Sequence, residues 1–338
     1  MLDLLVAGGG PAGLVTALHA RAAGLSTAVL EPRHTPIDKA CGEGLMPGAV
    51  AALRRLGVDV GGWPFAGITY HADGRSVAAA FRRGSGLGVQ RTELSARLHE
   101  AAVAAGVDIV ARAAGEVRQD AESVSAAGLR ARYLAAADGL HSPIRRGLGL
   151  DPAPAPARRY GLRAHFACSP WTDHVEVHWA DDAEAYVTPV AAGCVGVAVL
   201  GGPGASFARR LAAFPDLRAR LPAEPLERPR AAGPLRQDVT RRVAGRVLLV
   251  GDAAGYVDAL TGEGLAIAFR CAEALTARVR ADRPAAYERD YRKIARRYRL
   301  LTLALLHASQ RPAVRRRLVP AATRAPWLFD LAVNALAH

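Results

Sequence analysis

The sequence has almost no lysine: Lys39 and Lys293 are its only two, so a formal net charge of +13 rests on arginine. A nucleic-acid interface gathers basic residues into a stripe with aromatics interleaved. Here the arginines are scattered apart from Arg315–Arg317 and the stretch Arg292–Arg299, and aromatics make up 6% of the chain. Nucleic acid is therefore not an expected partner. Cysteine is also scarce. Cys41, Cys168, Cys194 and Cys271 show no C-x-x-C spacing, which argues against both a zinc site and a disulfide framework, so no metal is expected. A reducing cytoplasm is the expected compartment. No run approaches the roughly twenty apolar residues that a membrane helix needs, and no internal repeat is present. A cleavable leader is not expected either, because the chain enters an apolar strand within two residues and meets a glycine turn at Gly8.

The residues present alternate between two patterns. Leu2–Ala7, a glycine turn, an alanine-rich helical stretch to about Ala23 and a strand at Ser26–Leu30 make a strand-helix-strand unit. The alternation resumes with a helix over Glu93–Ala105 and strands at Val107–Val110 and Tyr133–Ala137. The proline-rich tract Asp151–Pro156 reads as a domain crossing. From Tyr160 to about Leu200, period-two runs such as Val175–Trp179 and Cys194–Leu200 predict an antiparallel sheet. Parallel-sheet character returns at Arg246–Val250. The expected fold class is α/β, a doubly wound Rossmann-like domain with an inserted antiparallel β-sheet domain and a C-terminal helical tail. Residues 1–62, 88–158 and 242–285 fall to the first domain, 63–87 and 159–241 to the second, and 286–338 to the tail.

Gly8-Gly9-Gly10-Pro11-Ala12-Gly13 fits G-x-G-x-x-G, directly after a strand and directly before a helix. The spacing suits a tight turn that brings a pyrophosphate against a helix N-terminus. Glu31 ends the second strand eighteen residues later, where its carboxylate can accept from both hydroxyls of an adenosine ribose. Arg33 beside it joins the expected cofactor-binding residues. These residues predict a dinucleotide and leave FAD and NAD open.

Asp138-Gly139, with Ser142 and Arg145 behind it, and the late Gly251-Asp252-Ala253-Ala254 complete a pattern. Together with the glycine turn they resemble the FAD-dependent hydroxylase superfamily typified by para-hydroxybenzoate hydroxylase, from residue 1 to about 280. The resemblance implies FAD as cofactor and a reduced nicotinamide, NAD(P)H, as electron donor. It implies that Asp252 hydrogen-bonds the ribityl chain, that the helix opened by Gly251 and running through Gly264 to Val279 stabilises charge on the reduced ring, that Asp138 and Gly139 line the pyrophosphate side, and that Arg91 lies near the phosphates. The stretch Asp38–Pro47 resembles the geranylgeranyl-reductase branch and related flavoenzymes of bacterial natural-product pathways, in which Cys41 and Gly42 would pass close to the flavin ring. Two roles for Cys41 follow, a thiol that shapes the site or moves a proton and a small buried hydrophobe. Gly262-Glu263-Gly264 would approach the ring from the other side. Glu263 is either a catalytic carboxyl or a charge complementing a helix N-terminus.

In the predicted sheet, Tyr186-Val187-Thr188-Pro189 sits where the reductase branch borders its substrate cavity, and Trp179 and His178 join Tyr186 and Pro189 as candidate pocket residues. The flavin-dependent halogenases' tryptophan-x-tryptophan-x-isoleucine-proline segment is missing, as is a suitably placed lysine. In the tail, the basic run from Tyr287 leads into Leu300–Leu306, a helix expected to pack its leucine face on the flavin domain in preference to a membrane surface. The leading expectation is a single-component monooxygenase using NAD(P)H and O2 on a small aromatic, polyketide or terpenoid substrate. The alternatives are a flavin-dependent reductase of carbon-carbon double bonds and a non-enzymatic flavin-binding protein.

Overall fold

Leu4, Leu5 and Val6 have no exposed surface because their strand, β1 (Leu2–Ala7), lies in the middle of a sheet covered on both faces. A strand buried on both sides reads as a continuous apolar run, and burying each such side chain contributes about 1.5–3 kcal/mol. The computed structural model describes residues 1–152, 159–309 and 311–337, leaving aside the side chains of 309, 312–316, 318 and 336. The proline-rich tract therefore lies outside the described residues from 153 onward, as do the side chains of Arg315 and Arg316.

Elements are numbered in chain order. In the first sheet β1 pairs in parallel with β2 (Thr27–Leu30) and with β11 (Leu129–Ala136). The sheet extends through β8 (Asp108–Val110) on one side and β18 (Val247–Leu249) and β17 (Val243–Ala244) on the other, with β9 (Arg118–Gln119) and β10 (Val124–Ala126) attached to β11. Helices α1 (Pro11–Ala22), α3 (Arg91–Ala104) and α7 (Gly264–Arg280) pack together beside it.

The second sheet has the order β16 (Arg230–Ala232), β12 (Tyr160–Phe166), β15 (Cys194–Gly201), β14 (Ala183–Ala191), β13 (His174–Trp179), β5 (Gly67–Ala72), β6 (Arg75–Ala80). It departs from the antiparallel expectation at one junction, because β5 and β13 run parallel. The two strands belong to segments far apart in the chain, so no hairpin dictates their relative direction. Short strands β3 (Gly44–Leu45), β4 (Trp63–Phe65) and β7 (Gly86–Gly88) form a third sheet between the two large ones. One face of the second sheet carries Ala164, Phe166, Ala185 and Val197 under the helices α5 (Phe207–Leu211) and α6 (Pro215–Arg220). The opposite face turns toward the first sheet.

The long helix expected from Gly251 is two elements. Gly251–Ala254 is a single 3-10 turn that ends at Gly255, whose φ is 118°, and α7 starts only at Gly264. Helix α8 (Tyr287–Ser309) packs on α7, and the buried Tyr287 hydroxyl donates to the Leu249 carbonyl at 3.0 Å. Beyond it, α9 (Pro312–Arg324) and α10 (Pro326–Leu336) lie along β5 and β6 of the second sheet instead of the first. No helix among the described residues is long and apolar enough to cross a membrane.

Arg145, in α4 (Pro143–Gly147), is 1% exposed and ties the end of β11 to the 3-10 turn. Its guanidinium donates to the carbonyls of Ala253 and Leu140, both at 3.2 Å, to Gln237 Oε1 at 2.8 Å, and to Asp151. Removing one member of a buried charged network strands the others. Arg145→Met should cost about 3–5 kcal/mol in urea unfolding, whereas Arg146→Met on the exposed side of the same helix should change stability by no more than about 0.5 kcal/mol.

Candidate functional site

At the carboxyl end of β1 the backbone turns so tightly that side chains are excluded. Gly8 has φ 111°, and a Cβ on Gly13 would stand 1.8 Å from the Gly8 carbonyl oxygen and 3.2 Å from Ala137 Cβ. Gly10 differs. The nearest atom to its would-be Cβ is an Arg91 guanidinium nitrogen at 3.9 Å, so open space lies in front of the turn. Pro11 and Ala12 begin α1, whose first N–H groups point into that space. Arg91 is 9% exposed and its Nε is buried with no partner, as befits a cation awaiting an anion.

Glu31 closes the other side. Its carboxylate accepts from the Gly9 N–H at 2.8 Å and from the Arg33 N–H at 3.0 Å, and the Arg33 guanidinium forks onto both oxygens at 2.8 and 2.9 Å. Burial pushes the carboxyl up, but the Arg33 and Gly9 hydrogen bonds outweigh it and leave the group below its ordinary value. Arg33 is thus held by Glu31, with over half of its side chain exposed. Asp138 accepts from the Ile144 N–H at 3.1 Å through one oxygen, while the other is buried without a partner; burial raises its pKa. Gly139 follows at φ 86°, with Lys39 Nζ 3.6 Å from its would-be Cβ.

Lys39 also reaches Asp252, with Nζ 3.4 Å from Oδ2. From there the loop of residues 38–44 crosses to the second sheet, where Thr188 donates its hydroxyl to the Gly42 carbonyl at 2.8 Å. Cys41 lies between these anchors, half-buried, its Sγ accepting the Glu43 N–H at 3.4 Å. Glu43, at φ 59°, enters a buried charge cluster that sequence reasoning missed. One of its oxygens meets His165 Nε2 at 2.7 Å and the other accepts the Arg91 N–H at 2.8 Å. Arg163 pairs with Asp38 and, at 2.9 Å, with Glu227, which also faces His165 Nδ1 at 2.9 Å. Burial alone would lower the His165 pKa, but the Glu43 hydrogen bond overrides it and raises it. The alternation of β12 puts Arg163 and His165 on one face, a signal available in sequence, but their acidic partners come from remote loops.

The candidate substrate residues divide between faces. Trp179 and Tyr186 share the inner face with Tyr70, whose ring meets Trp179 edge-on at 5.7 Å. Tyr186 donates to the Leu260 carbonyl at 3.1 Å, and Trp179 Nε1 is buried without a partner. By the same alternation Pro189 and His178 project from the opposite face, so they do not join Trp179 and Tyr186 in one pocket. Gly262 and Glu263 lead into α7 and Gly264 opens it, with Tyr256 in the space left by the missing Gly264 side chain. Glu263 is 6% exposed, and its Oε1 has no partner. Burial pushes its pKa up to about 8, against the charges of Arg297 and Arg270. Those arginines belong to α7 and α8, so Glu263 is coupled to the helices behind the loop.

A glycine turn on a parallel strand, a buried acid at the end of the next strand, a buried arginine with an unpartnered Nε and a facing sheet make a frame of the kind that binds a dinucleotide. Residues 1–192 match the family described as FAD binding domain, and the chain belongs to that family as an FAD-dependent oxidoreductase. It is 30% identical to a menaquinone reductase of Mycobacterium tuberculosis, over 78% of this chain and 72% of the relative. It is 28% identical to digeranylgeranylglycerophospholipid reductase 2 of Methanopyrus kandleri, over 80% and 74%. The crystal structure of p-nitrophenol 4-monooxygenase PnpA from Pseudomonas putida superposes with a TM-score of 0.80 at 23% identity, covering 98% of both chains, which establishes the shared fold.

The residues present suit FAD. Gly10 and the α1 N-terminus face open space of the kind a pyrophosphate needs, Arg91 Nε has no acceptor, and Glu31 ends the second strand, where an adenosine ribose would lie. Gly10→Ala should fold within about 0.5 kcal/mol of the parent yet copurify with far less flavin, while Gly13→Ala should lose both flavin and stability, since backbone cannot yield; flavin content and thermal melts check both. A second outcome concerns Glu263. Its folded-state pKa is above the ordinary value of 4.5, so stability should fall as pH rises from about 4.5 to about 8 and level off beyond. Glu263→Gln should flatten that slope and melt higher than the parent at pH 8.

Proposed function

We propose that this protein is a flavin-dependent reductase of a carbon-carbon double bond in an isoprenoid-bearing substrate. The observation that carries the proposal is the position of Cys41. Its loop is fastened at Lys39 to Asp252 on the cofactor side and at Gly42 to Thr188 on the inner sheet face, which sets a thiol between the cofactor track and the surface that bears Trp179 and Tyr186. FAD bound along this track supplies the electron pair for the reduction. The chain's own residues do the rest: Gly10 and Arg91 hold the phosphates, Glu31 the ribose, Asp252 the ribityl chain, and the inner face carries the apolar substrate. Cys41 Sγ is the group that delivers the proton to the second carbon of the double bond.

The similarity to two reductases at 28–30% identity supports this assignment. So does chemistry, since oxygen activation would place an oxidisable sulfur beside the site where oxygen reacts. The monooxygenase reading, favoured by sequence alone, keeps one support, the shared fold with PnpA. For the electron donor we propose NAD(P)H, as the hydroxylase resemblance implies, and for the compartment the cytoplasm, consistent with four unpaired cysteines. Cys41→Ser should keep full flavin content and reduction by NAD(P)H but lose at least about a hundredfold in anaerobic turnover of a polyprenyl substrate, the low end of what one positioned proton donor contributes. Substrate-dependent oxygen consumption with an oxygenated product would establish the monooxygenase instead.

A further inference from the structure

The outer face of the second sheet, remote from the cofactor track, carries three ligand-bearing side chains in one place. Glu176 and His178 are two residues apart on β13 and project to the same face, and register places His71 of β5 directly beside His178. His178 Nε2 lies 3.0 Å from Glu176 Oε2, and His71 Nε2 lies 3.7 Å from Oε1. The donor atoms of all three residues fall within 4.8 Å of one another. The two imidazoles are stacked, 4.5 Å apart and 14° from parallel, so both rings turn their Nε2 edges toward one carboxylate.

We infer that His71, Glu176 and His178 form a binding site for a single first-row divalent cation, of which zinc is the best match. Two imidazole nitrogens and one carboxylate are the donor set that borderline cations such as Zn2+ prefer, with a fourth position left for water. Three further observations point to a cation. His71 Nε2 is buried and has no hydrogen-bond partner, so a polar nitrogen is directed at the cluster without one. Trp171 Nε1 donates to Glu176 Oε1 at 3.1 Å, the kind of outer contact that fixes a ligating carboxylate in orientation. Glu176 is itself 5% exposed, so its carboxylate is buried within the cluster and shielded from water. The nearest competing charge is Arg220, 3.7 Å from Glu176 and stacked on the Trp171 ring at 4.5 Å, with its side chain half exposed.

The site bridges the parallel junction between β5 and β13, where the segment of residues 67–80 joins the main body of the sheet. A cation there clamps a strand pair that no hairpin secures. Since none of the three residues faces the cofactor track, cation binding and flavin binding should be separable.

The test uses flavin-loaded protein stripped of metal with a chelator and titrated with ZnCl2 by calorimetry. One equivalent should bind, and the thermal melt should rise by several degrees at saturation. His178→Gln and, on the more exposed strand, His71→Asn should each weaken zinc binding at least about tenfold while keeping full flavin content. Cys41 and Cys168 are other possible zinc ligands, so the same titration on Cys41→Ser/Cys168→Ser should show unchanged stoichiometry. Absence of a one-equivalent isotherm, or an isotherm that survives in flavin-loaded His71→Asn, would overturn the inference. Should His178→Gln fail to fold, the His71→Asn comparison decides.

Discussion

The arrangement around the glycine turn depends on a contact with no room in it. Three segments, the ends of β1 and β11 and the start of α1, converge so that Gly13 touches the Gly8 carbonyl and Ala137. Close packing at that point draws α1 down onto the sheet and aims its first N–H groups at the space in front of Gly10. The Asp138-Gly139 turn follows directly from Ala137, and Arg145 behind it carries the constraint on to Ala253 and the Gly251–Ala254 turn. A single tight junction thereby sets the positions of the glycine turn, the acid at Asp138 and the turn bearing Asp252.

The parts of this arrangement that sequence shows are those governed by local rules. A continuous apolar strand, a glycine turn and a helical period place β1 and α1, and spacing alone finds Glu31. The break after Ala254 was missed because Gly255 ends the turn while the residues beyond it keep a helix-like composition. The parallel pairing of β5 with β13 and the cluster of Glu43, Arg163, His165 and Glu227 were hidden for a different reason. Each brings together residues more than sixty positions apart, or joins strands with no turn between them, and nothing in the local pattern encodes such a meeting. Strand alternation could have separated Trp179 from His178, as neighbours on one strand face opposite ways.

The buried ion cluster explains how a loop without regular structure can position a thiol. Charges removed from water stabilise a fold little on balance, but separating one from its partners is costly. Glu43 contacts His165, lies 3.8 Å from Arg163 Nε, and accepts the Arg91 N–H. Movement of the loop would therefore uncouple charges on the sheet and disturb the start of α3 together. The second sheet thus has one face that fixes the loop of residues 38–44 and another that is bound up with its own helices and histidines.

At the edge of that sheet, β6 is covered by α10. Asn334 donates to the Ala80 carbonyl at 3.0 Å and accepts the Arg82 N–H at 2.8 Å, and Phe329 meets Tyr70 edge-on. An uncovered edge strand is a template for pairing with other chains. The covering residue is 254 positions downstream of the strand it protects, which a ribosome needs on the order of tens of seconds to traverse. During synthesis this edge stays open for that whole interval, so the nascent chain passes through a period of self-association risk that the finished protein no longer shows.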